Sequence, residues 1–137
     1  MAGGIGSRFW PVSRNSMPKQ FLDILNTGKS FLQETFERFA KIVPTENILC
    51  VTSTKYGEKV KEQLPDMLEE NILMEPLRRN TAPCIAYATY KIAKRNPDAV
   101  VVVTPSDHAI LNEVEYLNTI SGAMEYSKSH NYLFTLG

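Results

Sequence analysis

Residues 99–108 have the sequence AVVVVTPSDH, and this stretch indicates the fold more directly than any other. Four consecutive valines without a polar interruption are typical of a strand that is buried on both faces of a parallel sheet. The turn sequence Asn96-Pro97-Asp98 precedes the run, and Pro105 follows it. We therefore expect a buried strand at 99–104, with a polar segment at its carboxyl end.

Short β-branched runs and longer segments of helical period alternate on both sides of this strand. Further strands are expected at 48–52, 72–74 and 132–136, and helices at 30–43, 55–64, 81–95 and 113–129. Parallel strands need long crossover connections, which helices usually supply. The order therefore predicts an α/β fold of Rossmann-like type, with a mainly parallel sheet that is covered on both faces.

The two ends of the sequence indicate an incomplete sheet. A glycine-rich turn such as 3–6 ordinarily follows a strand, yet only Met1 and Ala2 precede it, and the strand expected at 132–136 reaches Gly137 without a helix after it. We therefore expect the 137 residues to be part of a longer protein, incomplete at both ends.

Composition narrows the function classes. A chain of 137 residues is the size of one domain, and its 15 Lys and Arg balance 15 Asp and Glu, which argues against a nucleic-acid binder. The longest apolar run, 99–103, is far shorter than a membrane span, and no leader peptide is apparent. Two cysteines, Cys50 and Cys84, are too few for a disulfide scaffold, so we expect free thiols and a cytoplasmic protein.

The segment from Gly3 to Arg8, GGIGSR, is a candidate phosphate loop. Glycines let backbone N–H groups approach phosphate oxygens, and an arginine adds a forked cation. The segment does not fit the dinucleotide pattern G-x-G-x-x-G, because Phe9 stands at the last glycine position. A tight turn without a ligand explains the glycines equally well.

A second glycine segment, Gly28-Lys29-Ser30, ends like the phosphate loop of P-loop NTPases. That motif requires a glycine five residues before Gly28, where Asp23 stands. A turn followed by a helix cap explains Gly28 and Ser30, so we reject the P-loop interpretation here.

Three further segments carry candidate polar groups. Lys19, in the segment PKQF, lies just after Pro18 and could reach substrate phosphates, although most lysines are simply solvated. The segments 75–82 and 105–108 directly follow expected strands, where ligands bind in open α/β sheets. Asp107 suits a hard divalent cation or a helix cap, and Asn80 and Thr81 suit a base edge or a cap. For His108 a structural role is favoured over metal binding.

Taken together and in this order, the segments AGGIGSRFWPVSR (2–14), PKQF (18–21), EPLRRNTA (75–82) and PSDH (105–108) closely resemble the mannose-1-phosphate guanylyltransferases. The resemblance implies a fold of the nucleotide-diphospho-sugar transferase type. It also implies that residues 1–137 are the nucleotide-binding part of such a domain, with the sugar-binding half absent.

The resemblance further implies a reaction: the transfer of GMP from GTP to mannose 1-phosphate, giving GDP-mannose and pyrophosphate, with Mg²⁺ as cofactor. Arg8 and Lys19 would be catalytic, and Asp107 would hold the metal. The nucleotide-binding residues would be Gly3, Gly4, Gly6, Ser7, Arg8, Glu75, Asn80, Thr81, Ala82 and Ser106.

Two alternatives to this enzyme are a P-loop-like NTPase and a non-catalytic nucleotide-binding domain. Partners other than the two substrates are not implied: we expect neither nucleic acid nor a membrane, and the sequence leaves room for a homo-oligomer. The 137-residue chain alone is expected to be inactive.

Overall fold

The computed structural model describes residues 1–4, 9–77 and 80–136. Within these ranges the chain forms, in order, helix α1 (Phe31–Ala40), strand β1 (Cys50–Ser53), helix α2 (Gly57–Gln63), strand β2 (Ile72–Glu75), helix α3 (Thr81–Arg95) and helix α4 (Glu113–Ser127). Short 3-10 turns lie at Lys19–Phe21, Thr45–Asn47, Thr54–Tyr56 and Glu69–Asn71.

The two strands are parallel and in register, with Cys50 opposite Ile72 and Ser53 opposite Glu75. On the other side of β1, the amide of Ala2 donates a 2.7 Å hydrogen bond to the carbonyl oxygen of Val51. Beyond Ala2, the Met1 nitrogen donates to the Thr104 carbonyl oxygen at 2.9 Å, and the Ser106 amide donates to the Met1 carbonyl oxygen at 3.2 Å.

This alternation of bonds from and to Met1 is that of a parallel ladder. The sheet order is therefore β2, β1, the short segment Met1–Ala2, and then the extended segment 99–104.

Alternate residues of β1 and β2 belong to two hydrophobic clusters, because successive strand side chains point to opposite faces. Cys50 and Ile72 pack in a cluster with side chains such as Leu32, Val60 and Leu64 from the α1 and α2 side. Val51 and Leu73 pack with Cys84 of α3. Both faces of the sheet are covered by helices, which agrees with the predicted α/β fold.

Helix α1 begins where its capping sequence predicts. The Ser30 hydroxyl accepts a hydrogen bond from the Gln33 amide, while the Gln33 side chain accepts from the Ser30 amide. The helix ends at Ala40, three residues before the predicted end, because the amides of Lys41 and Ile42 turn back on Arg38 and Phe39.

The predicted starts of α2 and β1 are also corrected. A 3-10 turn occupies Thr54–Tyr56, so that α2 begins at Gly57, and β1 begins at Cys50, two residues after the predicted start.

The predictions of strands at 99–104 and 132–136 are wrong within the described part of the chain. Residues 99–104 are extended but only partly buried, and Val101 and Val103 are 37% and 42% exposed. The valine run lacks a full neighbour, since Met1 and Ala2 fill only the end of the strand position beside β1. Segment 132–136 is exposed and pairs with no strand among the described residues.

Candidate functional site

The carboxyl ends of four parallel segments lie at the same end of the sheet. These segments are β1, β2, Met1–Ala2 and 99–104. Because β1, β2 and Met1–Ala2 are parallel, their carboxyl ends lie on the same side. Ala2 leads into the glycine segment, Glu75 ends β2, and Thr104 leads into 105–108. This is the edge at which open α/β sheets bind ligands.

The buried side-chain amide of Gln20 forms hydrogen bonds with the start of the glycine loop. The Gln20 side chain, only 3% exposed, donates hydrogen bonds to the carbonyl oxygens of Ala2 at 2.9 Å and Gly4 at 3.0 Å. The Thr52 hydroxyl also donates to the Ala2 carbonyl oxygen, at 3.1 Å. Gly3 and Gly4 have open space where a side chain would stand. Gly6, Ser7 and Arg8 lie outside the described residues.

The sequence motifs do not predict the role of Gln20. Its only sequence signal is weak: a polar amide directly before Phe21, in the same segment as Lys19. Burial of an amide requires hydrogen-bond partners, and two backbone carbonyls of a loop supply them here. Gln20 is thus the link between segment 18–21 and the glycine loop.

Lys19 lies at the junction of three segments. Its ammonium donates a 2.8 Å hydrogen bond to the main-chain carbonyl oxygen of Asp107, and it lies 4.2 Å from the centre of the Phe9 ring and 5.1 Å from that of Phe31. Trp10, beside Phe9, is 76% exposed. No carboxylate of the described residues forms an ion pair with Lys19. Its charge is therefore available to an anion.

Asp107 and His108 stand beside this lysine at the surface. The Asp107 side chain is 40% exposed, and its Oδ1 lies 3.8 Å from Nε2 of His108, whose side chain is 66% exposed. That exposure is at odds with a packed structural role for the imidazole. The described residues contain no group of three His, Cys, Asp or Glu side chains arranged for a metal. One exposed carboxylate fits a Mg²⁺ ion that takes its other ligands from phosphates and water.

Ser106 has a structural partner in addition to any ligand. It is 3% exposed, and its hydroxyl donates a 2.7 Å hydrogen bond to the carbonyl oxygen of Met1. This bond and the one from the Ser106 amide fix segment 105–108 to the start of the chain. Ser106 thereby positions Asp107 and, through it, the carbonyl that Lys19 contacts.

The segment after β2 reaches the same edge on its other side. Glu75 is half-buried, and its main-chain carbonyl accepts from the Thr54 hydroxyl at 3.1 Å. Asn80 has a φ of 67°, and its side chain forms no capping hydrogen bond to α3, so capping does not account for it. Thr81 and Ala82 are exposed in the first turn of that helix. The described contacts do not join this segment to Lys19.

The rejected P-loop segment has structural partners throughout. The Asp23 carboxylate accepts from the Thr27 and Gly28 amides, Gly28 has a φ of 82°, and Lys29 forms an ion pair with Glu37 at 2.5 Å. Ser30 is the cap of α1. These contacts account for the residues that resembled the motif.

We find no helix in residues 1–4, 9–77 and 80–136 with the length and hydropathy to span a bilayer.

The family model described as nucleotidyl transferase matches residues 1–136. Among similar proteins, mannose-1-phosphate guanylyltransferase RfbM of Salmonella typhimurium is 40% identical over 142 residues, covering 100% of this chain and 29% of that protein. A mannose-1-phosphate guanylyltransferase of Escherichia coli is 37% identical over 139 residues, with the same coverage.

A further relative, mannose-1-phosphate guanylyltransferase ManC of Salmonella typhimurium, is 41% identical over 131 residues, which are 93% of this chain and 27% of that protein. The chain thus spans about 29% of the length of the relatives that it matches from end to end. These identities confirm the resemblance that the four motifs indicated. On the family match over residues 1–136, the chain belongs to the nucleotidyl transferase family.

Proposed function

We propose that this chain is the nucleotide-binding part of a cytoplasmic enzyme that makes GDP-mannose and pyrophosphate from GTP and mannose 1-phosphate. The names of the relatives support this reaction. Because the chain covers only 29% of their length, we place sugar recognition in the part of the enzyme outside these 137 residues. The balanced charge of the chain favours small-molecule substrates over nucleic acid.

The main support for this proposal is the hydrogen bond from the Lys19 ammonium to the main-chain carbonyl oxygen of Asp107, beside the glycine loop. Lys19 forms no ion pair with a carboxylate of residues 1–4, 9–77 and 80–136, and it lies against two aromatic rings. Its ammonium can therefore neutralise phosphate charge. Gln20 ties the same segment to the loop, so that an anion between them would meet backbone N–H groups and the ammonium together.

In the proposed reaction, a phosphate oxygen of mannose 1-phosphate attacks the α-phosphorus of GTP in line. The new O–P bond forms as the bond from the α-phosphorus to the bridging oxygen breaks, and pyrophosphate leaves. The residues of this chain position the groups and stabilise charge: the loop amides and Arg8 hold the triphosphate, and Lys19 balances the charge of the transferring phosphates.

Nucleotidyl transferases generally use a divalent metal ion. We propose Mg²⁺, with Asp107 as one oxygen ligand and the substrate phosphates supplying others. When bound, the ion would reduce the charge repulsion between the phosphate of mannose 1-phosphate and the α-phosphate of GTP. Asp107 meets the requirement for an accessible carboxylate next to the lysine that would contact the same phosphates.

We place guanine recognition in segment 75–82 and near Ser106. The Asn80 amide is a candidate for the base edge because it does not cap α3. Pairing polar groups with the guanine edge would reject adenine, since the wrong base leaves buried groups without hydrogen bonds. Ser106 would act chiefly through its main-chain carbonyl oxygen, because its hydroxyl and its amide both donate to the Met1 carbonyl oxygen.

The test is a chimera in which this chain replaces the matching segment of the Salmonella enzyme RfbM. Pyrophosphate release with GTP, mannose 1-phosphate and Mg²⁺ is expected, with little release from ATP. Lys19→Met should abolish most of the turnover. Lys55→Met, which removes a lysine whose ammonium lies 5.6 Å from the centre of the neighbouring Tyr56 ring, should not.

A folded chimera that binds GTP but releases no pyrophosphate would instead support a non-catalytic nucleotide-binding domain. A chimera in which Lys19→Met and Lys55→Met behave alike would contradict the role given to Lys19.

A further inference from the structure

Gln20 stands beside Lys19 in the 3-10 turn Lys19–Phe21, but it is buried. A phosphate bound at the glycine loop would therefore contact Lys19 and not Gln20. A side-chain NH₂ group has two donor hydrogens, and that of Gln20 donates to two carbonyl oxygens of the loop, those of Ala2 and Gly4. Any effect of Gln20 on a ligand acts through the loop.

The partners of the Gln20 amide fix its orientation. Both are carbonyl oxygens, which accept and never donate, so only the NH₂ end of the side chain can face them. The Ala2 carbonyl has a second donor, the Thr52 hydroxyl. The Gly4 carbonyl accepts from Gln20 alone among residues 1–4, 9–77 and 80–136. The Gln20 amide is therefore the contact that holds the loop at Gly4.

These hydrogen bonds set the direction of one loop amide. The N–H of a trans peptide unit points away from its C=O. The Ala2 carbonyl faces Gln20 and the β1 residue Thr52. The Gly3 amide is therefore directed to the other side of the chain, where segment 105–108 lies. Within the part of the chain that the structure describes it donates no hydrogen bond, so it is available to a phosphate oxygen.

The turn that carries Lys19 and Gln20 is anchored in the hydrophobic core. Pro18, directly before it, is fully buried. Phe21, at its end, is buried as well, and its ring lies 5.7 Å from that of Tyr56, measured between centroids. The core thus fixes the turn, and the turn fixes the Lys19 ammonium relative to the loop that Gln20 holds.

We propose that Gln20 is a positioning residue, whose amide holds the start of the glycine loop where the loop and the Lys19 ammonium meet the same triphosphate. This inference rests on the proposed function. Loss of the two donors would release Gly4, while Lys19 would keep its hydrogen bond to the Asp107 carbonyl oxygen. Triphosphate binding should therefore suffer more than the chemical step.

The first measurement is GTP binding to the RfbM chimera by calorimetry, with Mg²⁺ and without mannose 1-phosphate. Gln20→Met keeps the length of the side chain and removes both donors, so it should weaken binding at least about tenfold. Gln20→Asn keeps the NH₂ group on a shorter side chain and should give a smaller loss. If Gln20 only fills space, Gln20→Met should bind GTP as the unchanged chimera does.

Gln63→Met is the matched control, because Gln63 also donates from a partly buried amide to a main-chain carbonyl oxygen. Its partner is Phe21, at 3.0 Å, and none of its described hydrogen bonds reaches the glycine loop. Both substitutions remove buried hydrogen bonds, so both should lower the melting temperature. Only Gln20→Met should weaken GTP binding.

Steady-state kinetics in the same chimera separate Gln20 from Lys19. Gln20→Met should raise KM for GTP at least about tenfold, with a smaller change in kcat, because the loop would hold the triphosphate both before and in the transition state. KM for mannose 1-phosphate should not change. Lys19→Met should chiefly lower kcat. Partial unfolding would lower the apparent kcat and leave both KM values unchanged.

Two outcomes would overturn the inference and leave the proposed function standing: GTP binding within about twofold of the unchanged chimera in Gln20→Met, or equal losses in Gln20→Met and Gln63→Met. If Gln20→Met does not fold, unchanged binding in Gln20→Asn has the same meaning. Gln20-dependent GTP binding without pyrophosphate release would support the inference and contradict the proposed reaction. A folded chimera that binds no GTP would overturn both.

Discussion

At the carboxyl ends of the strands, some residues would contact a ligand, and others hold those residues in position. Lys19 presents a charge that the described chain does not neutralise, whereas Gln20, its neighbour, is fully committed to the carbonyls of Ala2 and Gly4. These two adjacent residues thus have different partners. The division explains why a short segment in an irregular part of the chain carries so much of the site.

The role proposed for Arg8 can be tested by substitution. In the RfbM chimera, Arg8→Ala should reduce turnover on the order of 10²- to 10³-fold, because the role that we propose for Arg8 is to stabilise charge that develops on the phosphates. The melting temperature should not change, because the proposed role concerns the substrate and not packing. Steady-state rates and thermal melts decide it, with Arg14→Ala as control; near-normal turnover or loss of folding would refute the role.

The two thiols provide a second prediction. Both cysteines are free and buried, and burial raises the pKa of Cys50 to about 11 and raises that of Cys84 in the same direction. Because the thiolate is the reactive form, neither should react readily with a disulfide reagent in the folded chain at pH 8. Unfolding without a reductant should release two titratable thiols, and recovery of none would indicate a disulfide.

The stability of helix α1 depends on its first turn. Ser30 completes a reciprocal cap with Gln33, and its hydroxyl also donates a 2.7 Å hydrogen bond to the Gln63 side chain. Ser30→Ala should therefore lower the free energy of unfolding by about 1–2 kcal/mol. Ser129→Ala, which removes an exposed hydroxyl, should change it by less than about 0.5 kcal/mol. Urea unfolding measures both, and equal effects would show that the cap contributes little.

Elements were predictable from sequence where their signals are local. The cap at Ser30 and the apolar period of α3 marked their helices, and α3 has the predicted bounds. The conformation of segment 99–104 was not predictable in this way, because a strand needs a hydrogen-bonded partner. Among the described residues, Met1 and Ala2 occupy only the end of the position beside this segment. For the site, motif order indicated Lys19 and Asp107 separately. Their contact and the role of Gln20 depend on tertiary structure, which no local pattern encodes.

One carboxylate joins helix α4 to helix α1. Glu113 of α4 accepts hydrogen bonds from Lys41 and from Arg38, whose side chain is only 6% exposed. The Tyr116 ring packs edge-on against Phe39, with centroids 6.3 Å apart. The hydrogen bond from Lys41 lowers the pKa of Glu113 from its ordinary value, and Arg38 acts in the same direction.

Glu113→Gln should lower the free energy of unfolding by about 1–2 kcal/mol, since it leaves a buried guanidinium without its counter-charge. Because the folded-state pKa is lowered, the stabilisation is complete above the ordinary pKa of roughly 4.3 and is lost as the pH falls through the lower folded value. The variant should lack that part of the pH dependence.

The matched control for this prediction is Glu125→Gln, also on α4, which removes a pair whose side chains are 74% and 63% exposed. We expect it to cost less than about 1 kcal/mol. Denaturant unfolding between pH 3 and 7 distinguishes the two positions, and parallel curves for both variants would contradict a tertiary role for Glu113.

The exposed indole beside Phe9 has an optical consequence. Trp10 is the only tryptophan of the sequence, so the intrinsic emission of the chain excited near 295 nm comes from a single place, next to the ring on which Lys19 lies. A nucleotide that engages this corner would change the polarity around that one fluorophore. Occupancy can therefore be followed by the wavelength of the emission maximum alone, in unlabelled protein and without catalysis.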